Sequence, residues 1–298
     1  MRVIIATMKI QPDTLQHFLF EHAPVRGERV HLDASWCGVL ECHDYPTVLR
    51  QMLGELTAAA VLLAGTLKLE GSLLLQMQGN GAISLLVVEC SGDLQLRATA
   101  KWEGELQGSL TELFGDGRLV ITLVQKEGKP AYQGVVALDG DSIPEILQNY
   151  MSISEQLETR LWLAVGENSV SGMLLQKMPD EAEEDTDAWS RLTQLTDTLQ
   201  NNELMQLATQ DLLQRLFHEE DLRLFEGKPV TFHCRCSRDN VAQMLRMFGV
   251  AEIESILTER ATIEVHCEFC NYCYEFDKVD ALQLFSATAQ LATSETRH

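Results

Sequence analysis

The sequence predicts an α+β fold with a mainly antiparallel sheet, and three features carry that expectation. Strand-like runs are separated by glycine-rich turns, one long apolar segment reads as a buried helix, and the C-terminal part alternates short strands and helices around paired cysteines. At 298 residues, 45% hydrophobic and 22% charged, the chain can bury a large core and a smaller second one. Its formal net charge of −21 favours solubility and repels phosphate backbones, which argues against a nucleic-acid partner.

In chain order, "MRVIIATMKIQPD" carries only a short apolar patch followed by Lys9, so no secretory leader is expected and the chain reads as cytoplasmic. "DTLQHFLFEH", Asp13 to His22, predicts a helix with Asp13 as its N-cap, since Leu15, Phe18 and Leu19 fall at helical spacing. "YPTVLRQMLGELTAAAVLLAGTL" has Pro46 near a first turn and becomes apolar on most faces, which predicts a central buried helix. Its most apolar part, between Glu55 and Lys68, is too short to cross a bilayer, so no membrane partner is expected. The runs "SLLLQMQ", "AISLLVVEC", "LQLRATAKWEG", "RLVITLVQ" and "YQGVVALDG" read as strands, with turns at Gly79-Asn80-Gly81, Ser91-Gly92-Asp93 and Gly115-Asp116-Gly117. A helix from about Ser142 to Met151 then precedes the strands "TRLWLAV" and "SGMLLQKM".

Three regions are expected: an N-terminal core over 1–179, an acidic helical linker over 180–229, and a small metal-binding domain over 230–298. Pro179 closes the first, and "DEAEEDTD", with six acids in eight residues, marks a solvated boundary. Two amphipathic helices follow, "AWSRLTQLTDTL" and "ELMQLATQDLLQRLFHEE", with Leu192, Leu195, Leu199, Leu204, Leu207, Leu212 and Leu216 at helical spacing. Pattern alone reads them as helices docked on a neighbouring domain. From Val230 onward come the short strands "VTFHC", "TIEVHC" and "CYEFD" and three helices, the last from Lys278 to about Gln290. A unit of that size has a small core and commonly needs a staple such as a metal.

Five of the eight cysteines lie in "HCRCSRDNVAQ" and "HCEFCNYCY". Cys234 and Cys236 form a C-x-C pair and Cys267 and Cys270 a C-x-x-C pair; each turn can present two sulfurs to one ion, and together they complete the tetrahedral thiolate set that Zn²⁺ accepts. Thiolates are also what oxidants attack, so these residues permit a redox switch as well as a purely structural zinc site, and spacing does not separate the two. Cys273 could replace Cys270 or be a spare thiol, while His233 and His266 read as hydrogen-bonding neighbours rather than ligands. Cys37, Cys42 and Cys90 read as ordinary thiols, and no catalytic signature is present, so no enzyme is expected. Phe232 to His298 holds six Lys/Arg against ten Asp/Glu, a net of −4, which disfavours a zinc-ribbon nucleic-acid binder. A thiol oxidoreductase would use one C-x-x-C, whereas two pairs stand here.

The cysteine spacing, with "FLFEHAPVRGERVHL", "HDYPTVLRQMLGELTAAAVLLAGTLKLEGSLLLQMQGNG", "YQGVVALDGDSI", "EQLETRLWLAV", "GMLLQKMP" and "LLQRLFHEED", resembles the heat-shock protein 33 family of redox-regulated holdase chaperones over nearly the whole chain. That resemblance implies one Zn²⁺ held in the reduced form by Cys234, Cys236, Cys267 and Cys270. It implies that oxidants pair Cys234 with Cys236 and Cys267 with Cys270, release zinc, unfold the small domain and loosen the linker. The oxidised protein is then expected to dimerise and to hold unfolding client proteins without ATP, with Leu192, Leu195, Leu204, Leu207 and Leu216 among the exposed faces. A zinc-ribbon binding module without redox switching is the alternative. Cys273 departs from the family pattern and leaves the pairing of Cys267 and Cys270 open.

Overall fold

The computed structural model describes residues 10–67, 70–125, 132–179, 185, 187–281 and 283–285. The N-terminal apolar patch, residues 180–184 and 186 of the acidic run, and the end of the expected last helix lie outside the described residues.

The chain divides into two compact units, residues 1–233 and 234–298. The first opens with β1 (Thr14–Phe20), β2 (Val25–Leu32), α1 (Ala34–Leu40) and the long α2 (Thr47–Thr66). Next come β3 (Gly71–Gln78), β4 (Ile83–Ser91), β5 (Gln95–Trp102), α3 (Leu110–Phe114), β6 (Arg118–Gln125) and β7 (Tyr132–Ala137). It continues with α4 (Ile143–Ile153), β8 (Thr159–Val165), β9 (Val170–Lys177), α5 (Ala188–Asp197), α6 (Asn201–Gln206) and α7 (Thr209–Phe217). Three short strands end it: β10 (Leu222–Leu224), β11 (Lys228–Pro229) and β12 (Thr231–Phe232). One sheet has the order β10-β1-β2-β9-β8, with β11 also on β1; the other runs β12-β5-β4-β3-β6-β7. Their pairings are antiparallel apart from β12 with β5.

The helix α2 packs against strands of both sheets and forms the middle of the main core, with Ala58 to Leu62 fully buried. It alone among the described helices is long and apolar enough to cross a membrane, and most of it is buried inside the protein.

The segment expected as a helix at Asp13–His22 is instead β1. Strand β1 is covered on both sides: Leu15 packs into the α2 core, and Phe18 and Phe20 pack into a second cluster on the far face. Two buried faces place apolar residues at Leu15, Phe18 and Leu19, a spacing that imitates a helix. Asp13, expected to cap its own helix, caps α1 from a distance, accepting from the backbone N–H groups of Asp33, Ala34 and Ser35 at 3.1, 3.1 and 2.8 Å. Gly27, opposite Phe18 in the ladder, leaves room for that ring; a Cβ there would lie 2.0 Å from Phe18 Cζ.

The far face of the first sheet carries Phe18, Phe20, Val25, Ala164, Met173 and Leu175, and helices α5 to α7 close over it with Leu192, Leu204, Leu212, Leu213, Leu216 and Phe217. The ring of Phe217 meets that of Phe20 edge-on at 5.0 Å between centroids. Polar contacts ring this contact: Trp162 Nε1 donates to Asp197 at 3.1 Å, and Arg191 pairs with Asp185 and Glu220 at 2.7 and 2.8 Å.

Beneath the helices sits Arg29 on β2, only 2% exposed. Its guanidinium donates to Thr209 Oγ1 at 2.9 Å and to the carbonyls of Leu204 and Leu207 at 3.0 and 2.6 Å. Burial pushes its pKa down to about 10, which leaves it charged at neutral pH. This contact explains a second departure from the sequence reading. The expected helix "ELMQLATQDLLQRLFHEE" is split into α6 and α7, with Leu207 and Ala208 extended between them. The break turns the last carbonyls of α6, which a helix end leaves without partners, onto the guanidinium.

Replacing Arg29 with alanine strands two buried carbonyls and opens a gap under α6. We expect the docking of α5–α7 to weaken by about 3–5 kcal/mol and the melting temperature of the reduced protein to fall by on the order of 10 °C. Dye binding to apolar surface and protease cleavage near 198–208 should both rise. An unchanged melting temperature and dye signal would mean that apolar burial alone holds these helices.

Candidate metal centre

The second unit consists of α8 (Arg238–Phe248), α9 (Val250–Glu259), the hairpin β13 (Ile263–His266) and β14 (Cys273–Phe276), and helical residues 278–281 and 283–285. Its core is small: Ala242, Leu245, Ile253, Leu257, Ile263, Phe276, Ala281 and Leu284 are the buried apolar residues.

Cys234 and Cys236 lie in the extended stretch before α8. Ser237 caps that helix by accepting from Asn240 N–H at 3.1 Å, and the Asn240 side chain donates to the Arg235 carbonyl at 3.3 Å, which fixes the turn between the two cysteines and the helix. Cys267 and Cys270 occupy the tight turn of the hairpin. Cys267 N–H donates to the Tyr272 carbonyl at 3.0 Å and Asn271 N–H to the Cys267 carbonyl at 2.8 Å. Asn271 takes φ 54°, a left-handed conformation that asparagine tolerates better than most residues.

These two turns bring the four sulfurs together, all within 4.8 Å of one another. Cys234 Sγ lies 3.6 Å from Cys267 Sγ, and Cys236 Sγ 3.4 Å from Cys270 Sγ. The edge of a tetrahedral thiolate shell with metal–sulfur bonds of about 2.3 Å is about 3.8 Å, so this cluster has the size to hold one metal ion. Burial raises the thiols of Cys234 and Cys270. Burial also acts to raise Cys267, but backbone N–H groups of Cys270 and Phe269 and the neighbouring thiols outweigh it, and Cys267 ends below the ordinary value. Four thiols in this space resist ionising together, and a cation between them removes that penalty.

Outside the sulfurs, Tyr274 donates its hydroxyl to Cys236 Sγ at 3.2 Å. Arg238 joins the start of α8 to the hairpin, donating to the Glu275 carbonyl and Asp280 at 2.7 Å each and stacking 4.2 Å over the Phe276 ring. Sequence reading passed over both residues. "SRDN" directly after the C-x-C carried a cap signal for Ser237, but nothing local marks Tyr274 or Arg238, whose partners are about forty residues away.

Cys273, the possible replacement ligand, is not part of this cluster; its sulfur groups with Glu264 and His266 instead. Cys37 lies on α1, Cys90 is buried in β4 with its thiol pushed up to about 12 by burial, and Cys42 follows α1, so the structure does not gather these three with the C-terminal cysteines. Of the five leucines expected to face a client, Leu192, Leu204 and Leu216 are buried against the first sheet, and Leu195 and Leu207 pack half-buried beside them.

A family model described as Hsp33 protein matches residues 13–277. The chain is 52% identical over 289 residues to the 33 kDa chaperonin of Methylobacillus flagellatus, covering 96% of this chain and 99% of that one. It is 48% identical to the 33 kDa chaperonins of Nitrosococcus oceani and Chromobacterium violaceum, again over 96% of this chain and 99% and 98% of theirs. The crystal structure of the 33 kDa chaperonin, a heat shock protein 33 homolog, from Thermotoga maritima superposes with a TM-score of 0.79 at 20% identity, covering 93% of this chain and 99% of that one. The fold, the matched residues and this identity over almost the full length place the chain in the Hsp33 family.

Proposed function

We propose that this protein is a redox-regulated, ATP-independent chaperone of the cytoplasm, inactive while reduced and metal-loaded and active once oxidised. The observation that carries this reading is the four-sulfur cluster in a unit whose apolar core is too small to be a dependable staple. Zn²⁺ bound by Cys234, Cys236, Cys267 and Cys270 would hold all four sulfurs as thiolates and stabilise the fold of residues 234–285.

Oxidation by hypochlorite or peroxide takes two electrons from each pair of thiolates and leaves a disulfide, which no longer ligates. Pairing of Cys234 with Cys236 and of Cys267 with Cys270 is the reading we adopt. Separations of two and three residues keep these partners together even in an unfolding chain, although the folded cluster also puts sulfurs of different turns in reach. With the staple gone the small unit unfolds. Between α7 and Cys234 the chain is then held to the sheets by the short pairings of β10, β11 and β12, three or two residues each, and by the buried Val230.

Release of α5–α7 uncovers Phe18, Phe20, Val25, Met173 and Leu175 on the sheet and Leu192, Leu195, Leu204, Leu207 and Leu216 on the helices. An apolar surface of that kind binds the exposed core residues of unfolding clients, or a second oxidised copy, giving the homodimer. The net charge of −21 keeps the opened form soluble. No step in this sequence requires catalysis or nucleotide.

The test measures zinc content and suppression of thermal aggregation of a model enzyme in parallel, before and after oxidation. One zinc per chain and little suppression are expected in the reduced form, and no zinc with full suppression in the oxidised form. Equal suppression by the reduced, zinc-loaded protein would leave only a structural metal site. Separately, a strong chelator under reducing conditions should collapse the amide dispersion of Ile253, Leu257, Ile263 and Phe276 while strands β3 to β6 stay ordered. Survival of that dispersion would show that the small core folds without its metal.

A further inference from the structure

The hairpin β13–β14 has two different faces. Ile263, Val265, Tyr274 and Phe276 point inward to the small core, and Cys267 and its three partner cysteines lie at the end of that hairpin. The opposite face carries Glu264, His266, Cys273 and Glu275, in the alternation that a strand pair imposes. The register sets His266 directly across from Cys273 and Glu264 directly across from Glu275.

This pattern is unusual for a solvated face. Two carboxylates opposite each other repel, which costs a short two-stranded ladder stability it can ill spare. Beside them stand an imidazole and a thiol, and a carboxylate oxygen of Glu264, a ring nitrogen of His266 and Cys273 Sγ all lie within 4.8 Å of one another. Sulfur, nitrogen and oxygen donors in one place are the mixed set that a borderline-soft divalent ion accepts, with solvent completing the shell. A mixed tetrahedral shell has edges of about 3.5 Å. Glu264 and His266 are exposed, so small side-chain rotations bring the three donors to that spacing.

We propose that Glu264, His266 and Cys273 form a second metal site, open to solvent, that takes Zn²⁺ or a divalent ion of similar softness. It has one thiolate where the four-cysteine cluster has four, so it holds its ion more weakly and exchanges it faster. Binding exchanges the Cys273 thiol proton for the metal and places a positive charge beside Glu264 and Glu275. It also occupies the third sulfur of the C-x-x-C-x-x-C run, the thiol placed to compete with Cys267 and Cys270 when disulfides form. The site rests on this face of the hairpin alone and stands whether or not the four-cysteine cluster acts as a switch.

The test follows alkylation of Cys273 by iodoacetamide, read by mass spectrometry, in full-length reduced protein loaded with one and then two equivalents of Zn²⁺. With one equivalent Cys273 should label freely while Cys234, Cys236, Cys267 and Cys270 stay protected; the second equivalent should slow Cys273 labelling about tenfold or more. In a Glu264→Gln/His266→Ala variant, which keeps the labelled thiol, the second equivalent should give no protection. Cys273 labelling at the same rate with one and two equivalents in the unmodified protein would overturn the site. So would protection that survives in the variant.

Discussion

The rest of this structure depends on a sheet with two apolar faces. The inner face of β10-β1-β2-β9-β8 is sealed by α2 as part of the main core. The outer face carries Phe18, Phe20, Val25, Met173 and Leu175, and is sealed by the segment α5–α7, which in sequence precedes the cysteine-bearing unit. Burying each large side chain of this kind is worth about 1.5–3 kcal/mol, so closure is favourable. The cover is nevertheless three short helices of ten, six and nine residues, which would be marginal alone in water.

Arg29 gives this closure a polar element. A charge buried among aromatic and leucine side chains is costly without hydrogen-bond partners, and here the cover supplies them: Thr209 Oγ1 and the carbonyls of Leu204 and Leu207, with the buried Nε left without one. The guanidinium is therefore only partly satisfied when the face is closed, and opening returns it to water. A surface meant to stay closed would do as well with an apolar residue at this position. The second unit sets a small apolar core beside four clustered sulfurs that have the size to hold one metal ion.

Much of this was legible in the sequence. The turn glycines marked the breaks between β3, β4 and β5 and the one before β6, the apolar run marked α2, and the two close cysteine pairs marked the four-sulfur cluster, because each is a local pattern with a local physical cause. Strand β1 was misread because cover on both sides erased the alternation that identifies a half-exposed strand. The split between α6 and α7 was invisible because its cause, Arg29, lies about 175 residues away in sequence. The spacing of Cys267, Cys270 and Cys273 could not say which two share the cluster. The hairpin decides it: strand alternation turns Cys273 to the face opposite the core, while the tight turn carries Cys267 and Cys270 toward Cys234 and Cys236.

The claim that the metal centre governs the cover over the outer face is tested most directly by hydrogen exchange resolved to single segments. Amides of Leu192–Asp197 and Leu212–Phe217 should be protected in the reduced, metal-loaded protein and should exchange freely after oxidation, while α2 and strands β3 to β6 keep their protection. Unchanged protection of α5 and α7 after full oxidation and metal loss would contradict it, and would make these helices a permanent part of the first unit.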